Sequence, residues 1–556
     1  MEKIKTIVLS KKSLYTICFM LLNLIEFLWA TQDGDVWYVS TNCMGLVVMV
    51  MIVSAYPMKD FFTVGNGIYT VLCAAAMAAA YYLRRQDIVW FHLGQVESAI
   101  LNVWWIGIMA RYLFRKVVTE KSLPFKPRLA GWLWVLMSVL MTASVSERWW
   151  PLWFLLMFGC FYLTRYTKED RTALWDSMVD GTILSFFCMQ IYAYGFRPYD
   201  DVRYSGPYFN CNMTALYYLI VYLMCLFKLH ILELRKGAKG WKLFYLVGAG
   251  GMLSFQLFTI GRTAWVTSFV VTALYGILVV RKIWQKKWRQ VLVRGFALVL
   301  SLLFTFLPVY YSIRWLPTIL HHPVWYISEY SENKVHSFDP PDSEKYIELD
   351  EFLEAMWGRI ADMLGVEARS PRVIHVLAAG LDAAEDVVDD IDKDWGEDFQ
   401  ASQGEEETEA SVAEELPSAP GFRAHSMRVR LAILEQYFKD MTWYGNKPDS
   451  GQYDIEGSSF TSWHAQNLWV QIAYYYGIPS GILMAALTFV LLYQGMKLAL
   501  TEKTNPYAIF PIFICAVCFL YGLTEVVWVP GQLIMFMMFF VQHPQIREKE
   551  AEQPAC

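Results

Sequence analysis

The sequence predicts an all-α polytopic integral membrane protein with about 12–14 transmembrane helices and one large extracytoplasmic loop. Three observations predict this class. Of the 556 residues, 56% are hydrophobic and only 18% are charged, whereas about a quarter of the residues of a soluble protein are charged. Apolar runs of about 20 residues, long enough to cross a bilayer, recur along the chain. One long segment, 321–463, carries 31 acidic and 11 basic residues, a net charge of −20.

Fourteen apolar runs mark the predicted spans in chain order. They lie near residues 14–31, 36–56, 61–83, 93–113, 129–146, 149–164, 174–196, 213–230, 241–260, 263–280, 292–313, 478–499, 507–527 and 529–543. Lysines precede the first run, which has no clear small-residue cleavage site. We therefore expect it to be a retained signal-anchor and not a removed signal peptide.

Basic residues in the short loops predict the orientation. With a cytoplasmic N-terminus, about 29 Lys and Arg fall in inside loops and about six in short outside loops, as the positive-inside rule requires. The chain then divides into an N-terminal transmembrane bundle of about 11 spans (1–313), an extracytoplasmic acidic loop (314–463), C-terminal transmembrane helices (464–543) and a tail (544–556). Both termini are expected to be cytoplasmic, in the cytoplasmic (inner) membrane. A nucleic-acid partner is not expected, because the basic residues form no continuous stripe.

The acidic loop has its own predicted organisation. Apolar residues recur at helical spacing over 343–366, 372–394 and 425–440. The Glu/Ser/Ala/Pro-rich stretch 396–420 is expected to be a disordered linker. The acidic run 387–398 resembles a calcium loop but has its Gly one position late and lacks the final Glu, which favours a solvated helix face over a metal site.

Two arginines are candidates for binding an anion on the outer face. Arg262 lies in LFTIGRTAWVTS between two apolar runs, where an unpaired guanidinium is costly. Arg203 lies in the Gly/Pro/Asn-rich loop RPYDDVRYSGPYFNCN. Together they could clamp a phosphate or pyrophosphate. Alternatively, each arginine extends to lipid headgroups or pairs with an acid such as Asp200 or Asp201.

A histidine and a tryptophan lie at the predicted outer end of a later span, in SSFTSWHAQNLWVQ. His464 could act as a base or a hydrogen-bond donor, because its ordinary pKa is near neutral. The alternative is an amphipathic anchor at the membrane interface. Trp463 could stack on a sugar or belong to the interfacial aromatic belt.

Three stretches resemble the motifs of the O-antigen ligase and Wzy-type O-antigen polymerase superfamily. RYSGPYFNCN at 203–212 resembles its R-x-x-G…N-x-N loop, and TIGRTAW at 259–265 resembles its T-x-S-R-x-A-W turn. HAQNLWVQ at 464–471, followed by GIPSG, resembles its H-A-H-N-x-x-L-Q…G-I-x-x-G motif. The helix and Gly-rich turn at 427–451 are similar to those that precede that motif, and the resemblance covers roughly 195–500.

The chain departs from the family pattern in three places. Gly261 stands where the family usually has Ser, and Gln466 stands where it has its second His. A glutamine can position a hydroxyl but cannot take its proton, and His464 could stand in for the missing group. The acidic segment 343–420 exceeds the family's usual outer loop.

The resemblance implies a metal-independent membrane glycosyltransferase of GT-C-like, all-helical architecture, with no cofactor. It would transfer glycan from a polyprenyl (undecaprenyl) pyrophosphate to a glycan or lipid acceptor, polymerising or ligating a bacterial cell-surface polysaccharide. Arg203 and Arg262 would hold the pyrophosphate, and His464 or Gln466 would orient or deprotonate the acceptor. Further substrate contacts would come from Asn210, Asn212, Arg428, Arg430 and Trp463.

Two other classes of function remain open from the sequence. A lipid-linked glycan flippase or other polytopic transporter would also have many spans, although charges near mid-membrane and paired halves are then expected. The acidic loop could instead be a docking module for other envelope-assembly proteins. That hypothesis predicts that deletion of 343–420 abolishes function while Arg262→Ala does not.

Overall fold

A computed structural model describes the chain over 10–30, 34–86, 95–120, 129–146, 149–164, 166–196, 199–200, 203–208, 210–320, 325–327, 335–337, 349–364, 422–447, 450–454, 461–462, 464–527 and 537. This part is mostly helical. Its α-helices are α1 (Lys11–Ala30), α2 (Gly34–Val53), α3 (Val64–Arg85), α4 (Gln95–Glu120), α5 (Leu129–Ala143), α6 (Trp149–Leu163), α7 (Lys168–Phe196), α8 (Cys211–Leu234), α9 (Lys239–Phe258), α10 (Arg262–Leu274), α11 (Trp288–Leu320), α12 (Leu349–Leu364), α13 (Phe422–Lys439), α14 (Leu468–Tyr476), α15 (Ile478–Thr501) and α16 (Phe510–Gly522). A π-helical stretch, Tyr275–Ile283, continues α10.

The strands form three separate two-stranded antiparallel hairpins. They are β1 (Tyr199–Asp200) with β2 (Arg203–Tyr204), β3 (Trp325–Ile327) with β4 (Val335–Ser337), and β5 (Tyr453–Asp454) with β6 (Thr461–Ser462). In the first hairpin Asp200 lies opposite Arg203. Each hairpin joins neighbouring parts of the chain, so helix packing sets the architecture of the described residues.

The predicted class, an all-α membrane protein, is confirmed at the level of helix content and apolarity. A helix covers each of the first thirteen predicted runs, and the fourteenth, 529–543, lies outside the described residues except for Met537. Among described residues, five helices are long and apolar enough to cross a membrane: Val64–Arg85, Cys211–Leu234, Arg262–Ile283, Trp288–Ile313 and Ile478–Thr501. Shorter apolar helices include Leu129–Ala143 and Phe510–Gly522. The total of 12–14 spans stays a prediction.

Helix α8 lies at the centre of the bundle. Its most apolar stretch is 83% buried, as expected of a helix that is apolar on all sides. Helices α7, α9, α10 and α16 pack around it, and the ring of Phe227 stacks on Phe510 with centroids 3.8 Å apart. Because Asn210 and Asn212 lie at its N-terminus, this buried helix fixes the position of the first motif.

Buried polar contacts join helices of the N-terminal part. Asn42 Nδ2 on α2 donates to Ser98 Oγ on α4 at 2.8 Å, and Asn102 donates to the Asn42 side chain. Trp105 Nε1 donates to Asn102 Oδ1 at 2.6 Å. Such hydrogen bonds hold helices together where lipid provides no hydrophobic driving force. Helices α3 and α11, by contrast, are only 11% buried over their apolar stretches, which suits contact with lipid.

Two of the predicted helices of the acidic loop are confirmed with shifted ends. The helix predicted over 343–366 is α12, and its Phe352 is fully buried with its ring 4.5 Å from that of Phe258 on α9. The helix predicted over 425–440 is α13, which buries Ile433 and Tyr437 beside α14. The predicted helix 372–394 and the linker 396–420 lie outside the described residues.

Candidate functional site

The first motif forms a hairpin and a turn that lead into α8. Gly206 has a φ of 56°, and a Cβ at this position would lie 2.5 Å from the methyl group of Thr214, so a glycine is required. Asn210 caps α8, because its side chain accepts hydrogen bonds from the backbone N–H groups of Asn212 and Met213. The Gly and the first Asn of the motif therefore have structural roles.

Arg203 connects the first motif to the second. Its Nε donates to the backbone oxygen of Thr259 at 3.0 Å, and its Nη2 donates to Asn212 Oδ1 at 3.0 Å. A guanidinium has five N–H donors, so these bonds leave three of them without a hydrogen bond to the described residues. Asp200 and Asp201 are the alternative partners expected from the sequence. Asp200 lies opposite Arg203 in the hairpin, but its side chain, like all of Asp201, lies outside the described residues. The guanidinium is thus held in orientation by two hydrogen bonds, and the described residues do not use its other donors.

The second motif is a tight, strained turn between α9 and α10. Ile260 has a φ of 49°, which is unfavourable for a β-branched residue and marks stored strain. Trp265 Nε1 and Ser268 Oγ donate to the backbone and side-chain oxygens of Gln256, at 3.2 and 2.6 Å. These bonds hold the start of α10 in place against the end of α9.

Arg262 is the first residue of α10 and is partly buried. Contacts on either side of it fix its position. The backbone oxygen of Thr259, three residues earlier, accepts from Arg203. The hydroxyl of Thr263, the next residue, lies 2.8 Å from that of Thr524. The backbone of Arg262 therefore lies three residues from the carbonyl that accepts from Arg203, and the end of α16 contacts the start of α10. That the two guanidinium groups act together stays a prediction.

The third motif begins α14. Asn467 caps this helix by accepting from Val470 N at 3.1 Å, and its Nδ2 donates to the backbone oxygen of Leu523 at 3.2 Å. Gln471 Oε1 accepts from Ala465 N at 2.6 Å. The hydrogen bond from Asn467 to Leu523 joins this motif to the end of α16, which also contacts the second motif.

Gln466 and His464 have different environments. Gln466 has a φ of 48°, and its buried Oε1 makes no hydrogen bond with the described residues. His464 is solvent-exposed, yet partial desolvation lowers its pKa and the charge of Arg430 lowers it further. The neutral imidazole is thereby favoured at pH 7. Gln466 thus offers a hydrogen-bond acceptor that no described residue uses, and His464 offers a neutral ring that can bind a proton.

Glu525, just beyond α16, completes the cluster and was not among the residues predicted from sequence. Its Oε1 accepts from Asn212 Nδ2 at 3.0 Å, so Asn212 bridges it to Arg203. The side chain of Glu525 is partly buried, and the cations Arg430 and Arg203 act on it electrostatically. A signal was present in the sequence: this is the only acid between Glu502 and Glu548 and lies in the apolar run 507–527. An ionisable residue in such a run indicates a functional site.

The remaining predicted site residues have mixed outcomes. Arg430 on α13 acts electrostatically on both His464 and Glu525. Arg428 belongs to α13, but its side chain lies outside the described part, as does all of Trp463. No group of three His, Cys, Asp or Glu side chains suited to a metal occurs among the described residues. The acidic run 387–398 lies outside them.

Comparison with protein-family models gives no match, and neither do comparisons with curated proteins or with solved structures. The likeness of the three stretches to the O-antigen ligase and polymerase superfamily stays a resemblance. Any proposal about function therefore rests on the residues and contacts described above.

Proposed function

We propose that the protein is a GT-C-like membrane glycosyltransferase that acts outside the bacterial cytoplasmic membrane, in cell-envelope biogenesis. It transfers an oligosaccharide from a polyprenyl pyrophosphate to a glycan or lipid acceptor, and so polymerises or ligates a surface polysaccharide. One observation carries the proposal: Thr259, Arg203, Asn212 and Glu525 form one hydrogen-bonded chain. It joins two of the motif-bearing segments to a carboxylate.

In the proposed reaction an acceptor hydroxyl oxygen attacks the anomeric carbon of the donor glycan. The new C–O bond forms as the bond from that carbon to the phosphate oxygen breaks, and the electron pair leaves with the pyrophosphate. Arg203 and Arg262 offset the negative charge that develops on the leaving group. The fixed orientation of the Arg203 guanidinium matters here, because hydrogen-bond donors that are already positioned need no reorganisation in the transition state.

The acceptor hydroxyl needs a base and an orienting group. Glu525 is the base in this proposal, because Asn212 holds its carboxylate beside Arg203 and a carboxylate can accept the proton of the hydroxyl. The unpartnered Oε1 of Gln466 accepts the hydrogen bond of an incoming hydroxyl, which suits the role expected for glutamine at this motif position. His464, neutral at pH 7, is the second candidate base.

The test uses purified protein in lipid vesicles with polyprenyl-pyrophosphate oligosaccharide extracted from the host. We expect the wild type to produce longer glycan and to release polyprenyl pyrophosphate. Arg203→Ala and Arg262→Ala should each lose about 100- to 1,000-fold in rate, the typical cost of removing one transition-state donor. Arg85→Ala, an exposed arginine at the end of α3, is the matched control and should keep full activity.

The same experiment distinguishes the two candidate bases from each other, and a transferase from a flippase. Loss of activity in His464→Ala but not in Glu525→Gln would assign the proton transfer to His464. Donor that stays chemically intact but moves between leaflets, equally in the wild type and both arginine variants, would exclude the transferase and favour a flippase.

A further inference from the structure

Three candidate membrane spans end together at the opposite end of α10 from the candidate site. The π-helical continuation of α10 ends at Ile283, α11 begins at Trp288, and α15 ends at Thr501. The π-helical stretch packs against both α11 and α15. Since all three helices are apolar and long enough to cross a bilayer, these ends lie at one membrane–water interface. The distribution of basic residues predicts this interface to be the cytoplasmic one.

A cleft of about 550 Å³ opens between these helix ends. Three cationic side chains line it, from Arg281, Lys282 and Lys503. Apolar side chains, among them Ile277 and Leu500, line the rest. We call this cavity the basic cleft.

The positive charge of the basic cleft is only partly balanced by the protein. Glu502 precedes Lys503 in the sequence but does not line the cleft. No acidic residue occurs in the sequence between Glu233 and Glu329, and none of the three cations makes a salt bridge with a described residue. A helix dipole places about half a negative charge at each C-terminus. Two C-termini and the carboxylate of Glu502 therefore leave about one of the three positive charges without a counter-charge.

The combination of cations and apolar walls indicates the chemistry of the ligand. Cations alone would suit any phosphate, but apolar side chains next to them at a membrane interface suit a phosphate that carries acyl chains. Basic pockets between membrane helices are known to bind anionic lipid headgroups. Trp288, which lines the cleft and lies 5.8 Å from the Arg281 guanidinium, is of the residue type found at headgroup level.

We infer that the basic cleft binds the phosphate headgroup of an anionic phospholipid from the adjoining leaflet. The lipid phosphate pairs with Lys282 and Lys503, and the acyl chains lie along Ile277 and Leu500. The cleft and the candidate site lie at the two ends of Arg262–Ile283, about 30 Å apart at 1.5 Å per residue. The inference is therefore independent of the proposed glycosyl transfer.

The test compares two pairs of substitutions with the same change in charge. Lys282→Gln with Lys503→Gln alters the cleft, whereas Lys286→Gln with Lys287→Gln removes two exposed lysines that do not line it. Native mass spectrometry of the full chain in detergent measures binding of phosphatidylglycerol, with phosphatidylcholine and inorganic phosphate as separate arms. A membrane-proximal cation contributes about 1 kcal/mol to binding of anionic lipid, about fivefold in affinity.

We expect the cleft pair to weaken phosphatidylglycerol binding on the order of 20-fold and the control pair to change it by less than threefold. Equal loss in both pairs would mean that general surface charge attracts the lipid and would overturn the inference. Equal affinity for phosphatidylcholine would overturn it as well. Displacement of the lipid by inorganic phosphate at the same concentration would show that the cleft takes free phosphate and not a lipid.

Discussion

At the scale of single residues, Glu525 has the most unusual environment in the candidate site. Its carboxylate is hydrogen-bonded to Asn212, and Asn212 is itself held by Arg203. The carboxylate that the proposed chemistry needs is therefore held in one hydrogen-bonded chain with an arginine.

Glu525→Gln tests the proposed role of this carboxylate. The variant keeps an oxygen for Asn212 but cannot accept a proton. We expect it to lose at least about 100-fold in transfer rate.

Glycan transfer in lipid vesicles measures the rate, and thermal unfolding in detergent checks that the variant is folded. Glu435→Gln is the control, because this exposed residue of α13 forms an i,i+4 ion pair with Lys439 on the surface. An unchanged transfer rate in a folded Glu525→Gln variant would contradict the role of Glu525 as the base.

At the scale of elements, α12 lies next to the second motif. Phe352 packs on Phe258, which immediately precedes the Thr259 that accepts from Arg203. The helix is amphipathic, and Glu354 on its other side is exposed. The acidic loop is thus anchored by apolar contacts beside the candidate site.

Phe352→Ala should therefore release α12 from the bundle. Removing a fully buried phenylalanine costs about 3–5 kcal/mol, more than a short surface helix is expected to gain from its contacts. We expect proteases to cleave within 349–364 in this variant and hydrogen exchange there to become rapid. Glu354→Ala, on the exposed face, should leave both unchanged, and protection of α12 in Phe352→Ala would show that other contacts hold it.

The helices could be predicted from the sequence because each apolar run carries its own signal over about 20 residues. The contact between the first and second motifs was expected, since the predicted orientation places both in outer loops. Glu525 was missed because its partner Asn212 is 313 positions away, and a local pattern holds no information on that pairing. The packing of Phe352 on Phe258 was missed for the same reason.

At the scale of the whole molecule, the candidate site and the basic cleft occupy opposite ends of the helical bundle. The acidic loop takes part in the candidate site through Arg430 on α13. Its stretch 396–420 contains eight acidic and no basic residues. Deleting it changes the charge by eight units and leaves α12 in the chain.

This deletion separates the catalytic proposal from the docking hypothesis. If the protein is a transferase, removal of 396–420 should leave the rate in vesicles within about twofold at 0.15 M salt, because none of the proposed site residues belongs to this stretch. Deletion of 343–420 is less informative, because it also removes Phe352 from Phe258. Loss of surface polysaccharide in cells with the shorter deletion, at an unchanged rate in vesicles, would instead support docking of envelope proteins.

The hydrogen bond between Asn212 and Glu525 also has a consequence for biosynthesis. Arg203 and Arg262 are synthesised early, but Glu525 follows Arg262 by 263 residues. At about 5–20 residues per second, translation of that interval takes roughly 15–50 s. During this time the nascent chain carries both arginines without this carboxylate, so under the proposed function it could bind the anionic donor but would lack Glu525 as the base. Competence for the proposed reaction is thereby delayed until the last apolar helices have joined the bundle.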